Sequence, residues 1–461
     1  MADGWTAMKR VLIWNEAPPR RGADETVAFL TDVTRARGTD RAGEVEHMAR
    51  RALRRLPDPF IPAVFLAGML LADPAGAEEA HALIAPFVAE DDAERRALAA
   101  QILSFAWASR GQRARSKRFA DEALAALNEV DDDAFIGFVE MRVAHALLWH
   151  GDAQTAEDLA DRSASRLERA GAFAWAANAV TFGFLPTLER GDITSTRALL
   201  ARAAALAARD NLPQVTRAIA NLRLGFAVMT GDDAAVPGHR ASLSTAHYAY
   251  DAFSIMMYFA IPSGWDGRWR DFTAQLESAE PVSRAQHALR DALFAVAAAA
   301  TGDDAEARAR WRRAVHRVAH GSVGNLSDAR VRRLARALAC TAGAAVGDVA
   351  RADRAALPLR GTRQLAIVTG AHEPTYAGFQ RLVARMRESR AAARPAVTLT
   401  PAQARLLNTL ATDMSIAAIA RQDPQRRSVA TIRSHVRNLY AILDVHSRTA
   451  AVLKAKDLRL L

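Results

Sequence analysis

A glycine-aspartate turn recurs along this chain, each time after an apolar stretch, and this constrains the fold more than any other feature. It stands at Gly151-Asp152, Gly191-Asp192, Gly231-Asp232, Gly302-Asp303 and Gly347-Asp348, with Gly111-Gln112 as a variant. From Gly111 to Gly231 the spacing is forty residues each time. Asp266-Gly267 halves the longer gap before Gly302, and weaker signals at Gly38 and Asp73–Gly76 extend the series toward the N-terminus. Glycine closes a helix because, lacking Cβ, it enters the left-handed region without a clash. Aspartate then opens the next helix by accepting from a free backbone N–H. Asp303 and Glu306 also have capping-box spacing.

The flanks of each turn are helical in pattern. Before Gly151, Phe138, Val143, Leu147 and Leu148 share a face; after it, Ala156, Leu159 and Ala160 do so. Half the residues are apolar, alanine dominates them, and aromatics are 7%, which favours closely packed helices over sheets. Residues 25–385 therefore read as about nine antiparallel helix pairs. A single pair cannot bury its apolar stripe, so the expectation is an all-α chain whose pairs stack into a superhelix. The pattern resembles tetratricopeptide-like arrays, with a longer period than their usual ~34 residues.

Several function classes lack their signals. No Gly-x4-Gly-Lys-Ser/Thr loop occurs. His320–Gly324 lacks nucleophile-elbow spacing and reads as a loop. No Cys/His cluster has zinc spacing, and the N-terminus lacks the strand-helix alternation of a receiver domain. The one cysteine, Cys340, sits in an apolar run and reads as a buried small residue. The expectation is no enzyme, no cofactor and no metal. The longest apolar run, Phe60–Ala72, is too short for a bilayer and no signal peptide is evident, so a cytoplasmic protein is expected. His247–Arg270 concentrates Tyr248, Tyr250, Tyr258, Trp265 and Trp269; these form either an effector pocket or a bulkier core.

Residues 1–385 thus read as a sensor or interaction domain, 386–397 as a helix end and linker, and 398–461 as a separate module. From Leu399 onward ten Lys+Arg face four Asp+Glu, so +6 of the net +10 lies there. A locally basic module suggests a polyanionic partner. Thr400-Pro401 with Gln403 opens a first helix, backed by Leu406, Leu407 and Leu410. Ser415 caps a short second helix that Asp423-Pro424 stops. Ser428 caps the third, where Ile432, Val436, Leu439 and Leu443 form one face. The opposite side carries Arg433, Ser434 and Arg437, flanked by Thr431 and His435. Ser447 caps a fourth helix.

This module resembles the LuxR-type helix-turn-helix of bacterial regulators. The likeness rests on Leu399-Thr400-Pro401, Leu406-Leu407, Leu410-Ala411, Ser415, Ile419-Ala420, Thr431-Ile432-Arg433, His435-Val436, Asn438-Leu439, Leu443, Val445 and Arg448-Thr449-Ala450. The resemblance implies a four-helix domain on double-stranded DNA, nucleoid-associated when bound. Arg433, Ser434 and Arg437 would read bases. Arg426, Arg427, Ser428, Thr431 and His435 would hold the backbone, and the last helix would form a homodimer. Gln403, Asp413, Ile416 and Ala417 depart from the family's usual residues, and the turn before Ser428 is about two residues longer. The function expected is a sequence-specific transcription regulator whose array senses a peptide, small molecule or protein. The alternative is a helical-repeat adaptor for another regulator, with the C-terminal module mainly dimerising.

Overall fold

The computed structural model describes residues 2–461 except 15, 19–23, 39–41, 72–73, 150, 211, 242–248, 282, 320–325, 394–398, 413, 424, 426 and 459. Side chains are not described at 2–3, 37–38, 42, 74, 239–241, 249–256, 326–328 and 457. The loop assigned to His320–Gly324 thus lies outside the described residues. The fold is all-α, with no strand among the described residues. The chain divides into two compact units, Met1–Arg390 and Ala391–Leu461.

In the first unit, Ala2–Lys9 (α1) continues as a π-helical turn over Arg10–Trp14. Nine helix pairs follow among the described residues. The first are Glu25–Gly38 with Ala42–Ala52 (α2, α3) and Phe60–Leu70 with Ala77–Ile84 (α4, α5). Ala93–Ser109 with Arg113–Ala126 (α6, α7) and Asp133–Trp149 with Ala153–Arg169 (α8, α9) come next. The fifth pair has a broken leading helix, Phe173–Thr181 (α10) then Phe184–Arg190 (α11), against Ile193–Ala207 (α12). Pro213–Thr230 with Val236–Ala241 (α13, α14) and Ala249–Trp265 with Trp269–Glu277 (α15, α16) continue the series. Arg284–Thr301 with Asp304–Ala319 (α17, α18) and Leu326–Ala345 with Val349–Ala356 (α19, α20) end it. Leu365–Thr369 (α21) and Ala377–Ala393 (α22) complete the sequence of helices. Leading helices α4, α6, α8, α10, α13 and α15 touch one another in turn, as do α17 and α19.

The turns between helices share one construction. Gly111, Gly151, Gly191, Gly231, Gly267, Gly302 and Gly347 all have φ between 70° and 89°. The next residue's N–H bonds the carbonyl five residues back: Asp152 to Leu147, Asp192 to Thr187, Asp232 to Ala227, Asp303 to Ala298. This closes the first helix in a Schellman motif. The same aspartate's carboxylate then caps the second helix, Asp192 accepting from Ser195 N at 2.9 Å and Asp303 from Glu306 N at 3.0 Å. One residue therefore serves both helices. The capping box expected at Asp303 and Glu306 is half formed for this reason. The N–H that Glu306 would accept from is already bonded to Ala298, and Glu306 engages Arg310 Nε at 2.6 Å. Asp348 closes its helix but does not cap; it pairs with Arg312 at 2.9 Å.

The contacts exceed neighbour-to-neighbour stacking. Near the N-terminus, Trp175 Nε1 donates to Leu12 O at 2.8 Å, and Lys9 pairs with Glu94 and Asp132. At the other end α22 returns to earlier helices. Gly378 approaches Val228 so closely that a Cβ would lie 1.7 Å from its carbonyl oxygen. Met386 is fully buried, and Arg390 pairs with Asp304 at 2.5 Å. The segment from Met386 is thus helical as far as Ala393, with Met386 and Arg390 buried.

Candidate nucleic-acid interface

Four helices form the second unit: Pro401–Leu410 (α23), Ile416–Gln422 (α24), Val429–Leu443 (α25) and Arg448–Asp457 (α26). Each start has the side-chain cap its sequence specifies. Thr400 and Gln403 form a complete capping box, while Ser415, Ser428 and Ser447 accept from Ala418, Thr431 and Ala450 N–H groups. Helix α25 ends at Asp444, a non-glycine residue at φ 52°, and Val445 N bonds Tyr440 O in the same closure used by the glycine turns.

The core of this unit fixes the orientation of α25. Ile432, Val436, Leu439 and Leu443 are buried with Leu407, Leu410, Ile419, Ala451 and Ala455. That leaves Arg433, Ser434 and Arg437 exposed on the other side, as their spacing requires. Neither arginine has an ion-pair partner among the described residues; the pair found in this unit is Asp423–Arg427. Ser428 and Thr431 are exposed at the start of α25, their hydroxyls 2.9 Å apart. His435 is half-buried.

Arg427 is more committed than its sequence context suggests. Its guanidinium bonds Asp423 through Nε at 2.9 Å and through a second nitrogen at 2.6 Å, while its own N–H donates to Asp423 at 3.0 Å. The side-chain and backbone bonds from Arg427 hold the Asp423 carboxyl far below the usual carboxylate range. A third guanidinium nitrogen lies 3.5 Å from His435 Nε2. Arg427 therefore fixes the long turn onto the first turns of α25. Arg426 lies outside the described residues. Tyr440 is a packing residue: it is half-buried against the core, and burial pushes its phenol up.

Two positioning residues have no site role in the sequence reading. Asp423 is one; it and Arg427 lie in the turn between α24 and α25, where helical spacing gives no signal. Arg448 is the other. Its Nε donates to Leu410 O at 2.9 Å, and its terminal nitrogens donate to Met414 O at 2.7 Å and to Thr412 O. One side chain at the start of α26 thus holds the end of α23 and the whole turn to α24. Only the number of carbonyls converging on it reveals this, and that is a three-dimensional fact.

The second candidate site does not form as a pocket wall at its two tryptophans. Trp265 and Trp269 are core residues, 4% and 7% exposed. Their indole N–H groups donate to Gly378 O at 2.8 Å and Ser389 Oγ at 3.0 Å. Both belong to the seat of α22. Tyr258 is half-buried against α13, where a Cβ on Gly225 would meet its ring at 2.8 Å. Tyr248 and the side chain of Tyr250 lie outside the described residues. Two of these large side chains, Trp265 and Trp269, thus hold the returning helix. Among the described residues no metal-binding cluster is found, and no helix is long and apolar enough to cross a membrane. Cys340 is fully buried, and burial pushes its thiol up to about 12.

No protein-family model matches the chain. A search of curated proteins returns no match either.

Proposed function

We propose that the protein is a sequence-specific DNA-binding regulator of the LuxR type, reading the major groove with α25. One observation carries this reading. The buried face of α25 leaves Arg433, Ser434 and Arg437 together in solvent, with both guanidiniums free of carboxylate partners among the described residues. A guanidinium can donate two bonds to guanine O6 and N7, and phosphate accepts from helix N-termini and hydroxyls. In this proposal Ser428, Thr431 and His435 hold the DNA backbone with Arg426. Arg427 acts chiefly by fixing the turn through Asp423. Leu453, 59% exposed on α26, suits a homodimer through the last helix. The array then serves as the sensor, and the protein works in a bacterial cytoplasm.

The test is a titration of the full chain against genomic fragments at several salt concentrations. Affinity should fall steeply with salt, because each phosphate contact releases counterions. Arg437→Ala should cost about 1–3 kcal/mol and relax the preference at one base position. Salt-insensitive or absent binding refutes the proposal and favours the adaptor reading. An unchanged preference in Arg437→Ala refutes the assignment of that residue.

A further inference from the structure

The segment between α20 and α22 crosses back to the end of α11, and a cleft of about 550 Å³ opens there between Glu189, Arg333, Gly361, Thr362 and Arg363. These residues come from three stretches of chain far apart in sequence. Their charges are not used equally.

Glu189 is saturated on one side. Its Oε1 forms an ion pair with Arg330 Nε at 3.0 Å and accepts from Tyr376 Oη at 3.2 Å and Gln364 Nε2 at 3.4 Å. Arg363 is anchored at every nitrogen. It donates to Glu189 O at 2.9 Å, to Glu373 Oε2 at 2.8 Å and to Arg190 O. Arg333 is different. Its ion pair is a single 3.5 Å approach to Glu189 Oε2, and its Nε is buried without a hydrogen-bond partner. A guanidinium carries five donors, and one long ion pair leaves the terminal nitrogens of Arg333, whose side chain is 29% exposed, open to a further acceptor. Around the cleft Arg330, Arg333 and Arg363 face Glu189 and Glu373, which leaves one positive charge uncompensated.

We infer that this cleft binds a small polar organic anion, with its carboxylate or phosphate group accepting from Arg333. The polar lining excludes a greasy ligand, and the single excess charge suits a single anionic group. Occupancy would tie α11 and α19 to the segment that leads into α22. This gives the sensing role proposed above a ligand class; its regulatory consequence rests on that reading, whereas the binding itself does not.

The test is isothermal titration calorimetry on the full chain, with inorganic phosphate and, separately, succinate. Saturable binding of at least one is expected. Phosphate alone identifies a phosphate-type ligand, and succinate alone a carboxylate. Arg333→Ala should weaken binding at least tenfold. Arg333→Lys keeps the charge but lacks the fork, and should bind between the two. No saturation with either anion, or equal affinity in Arg333→Ala, overturns the inference. Because no DNA is present, anion binding without DNA binding refutes only the regulator, and the reverse refutes only the cleft.

Discussion

His145 should make the first unit sensitive to mild acid, and the size of the effect follows from its surroundings. The ring stacks on Phe182 with centroids 4.9 Å apart and planes 19° apart, and it touches Phe105 and Trp149. Trp149 Nε1 donates to His145 Nε2 at 2.9 Å, so the neutral ring carries its proton on Nδ1. Protonating Nε2 would break that bond and place a charge on a half-buried ring packed among aromatic side chains. Burial first, and Arg142 second, lower the pKa from 6.5 to about 3. The folded state therefore prefers the neutral ring, while the unfolded chain protonates near 6.5. The stability this contributes is complete above pH 6.5 and is lost as pH falls from there toward 3. The whole interval is worth on the order of 4–5 kcal/mol. Tryptophan fluorescence isolates this unit, because all eight tryptophans precede residue 391. Urea unfolding should be followed from pH 7.5 to 4 in the parent and in His145→Gln, whose carboxamide oxygen can still accept from Trp149. Carboxylates common to both chains cancel in the difference. At pH 7.5 the variant should be less stable, having lost the ring stack. The gap should close as pH falls, and the curves should converge or cross before pH 4. Parallel curves would refute the assignment of a buried neutral histidine.

Four further outcomes are expected. Gly347 has φ +89° and open space where a Cβ would go, so Gly347→Ala should cost about 1–2 kcal/mol from backbone conformation alone. Gly68, inside α4 and equally unobstructed, should gain about 0.5–1 kcal/mol as alanine; urea midpoints moving in the same direction would contradict the turn argument. Arg448→Ala should release three carbonyls and destabilise the second unit by about 2 kcal/mol or more. Hydrogen exchange should show lost protection in α23 and α24, with Arg448→Lys failing to restore it. Cys340, fully buried with its thiol pushed up to about 12, should resist an aromatic disulfide reagent until the chain unfolds. Prompt reaction of the native protein would contradict that burial.

The local signals were legible because each is confined to a few residues. Glycine followed by aspartate announces both a helix end and a helix start, and every such turn that the sequence marks from Gly111 onward has the left-handed glycine. Gly171 was missed although it closes α9 in the same way, at φ 77° with Ala172 N bonding Leu167 O. No aspartate follows it, so half the signal is absent. The hydroxyl caps at Thr400, Ser415, Ser428 and Ser447 were legible for the same reason, as was the buried stripe of α25. The return of α22 was not. Trp265 and Gly378 are 113 residues apart, and no periodicity connects them. An aromatic-rich stretch looks the same from sequence whether a ligand or a helix covers it.

Arginine does much of the long-range joining, and this changes the meaning of the chain's charge. Lysine occurs only four times among 61 basic residues. Helix ends leave carbonyls without partners, and a guanidinium has enough directed donors to serve several at once. Arg290 donates to Ala279 O just past α16, Arg308 to Val346 O just past α19, and Arg336 to Ala355 O at the end of α20. Arg363 reaches the last carbonyls of α11, Arg390 that of Ala299 in the last turn of α17, and Arg448 the end of α23. Lysine, with one compact ammonium, could not replace these forks. Much of the positive charge is therefore structural, and the net value of +10 is a poor guide to where a polyanion would bind. What sets Arg433 and Arg437 apart is neither their type nor their number. They stand exposed on a helix whose back is fixed, with no carboxylate or carbonyl claiming them among the described residues. That is the condition under which an arginine remains available to a ligand, and Arg333, held by one long ion pair, approaches it in the first unit.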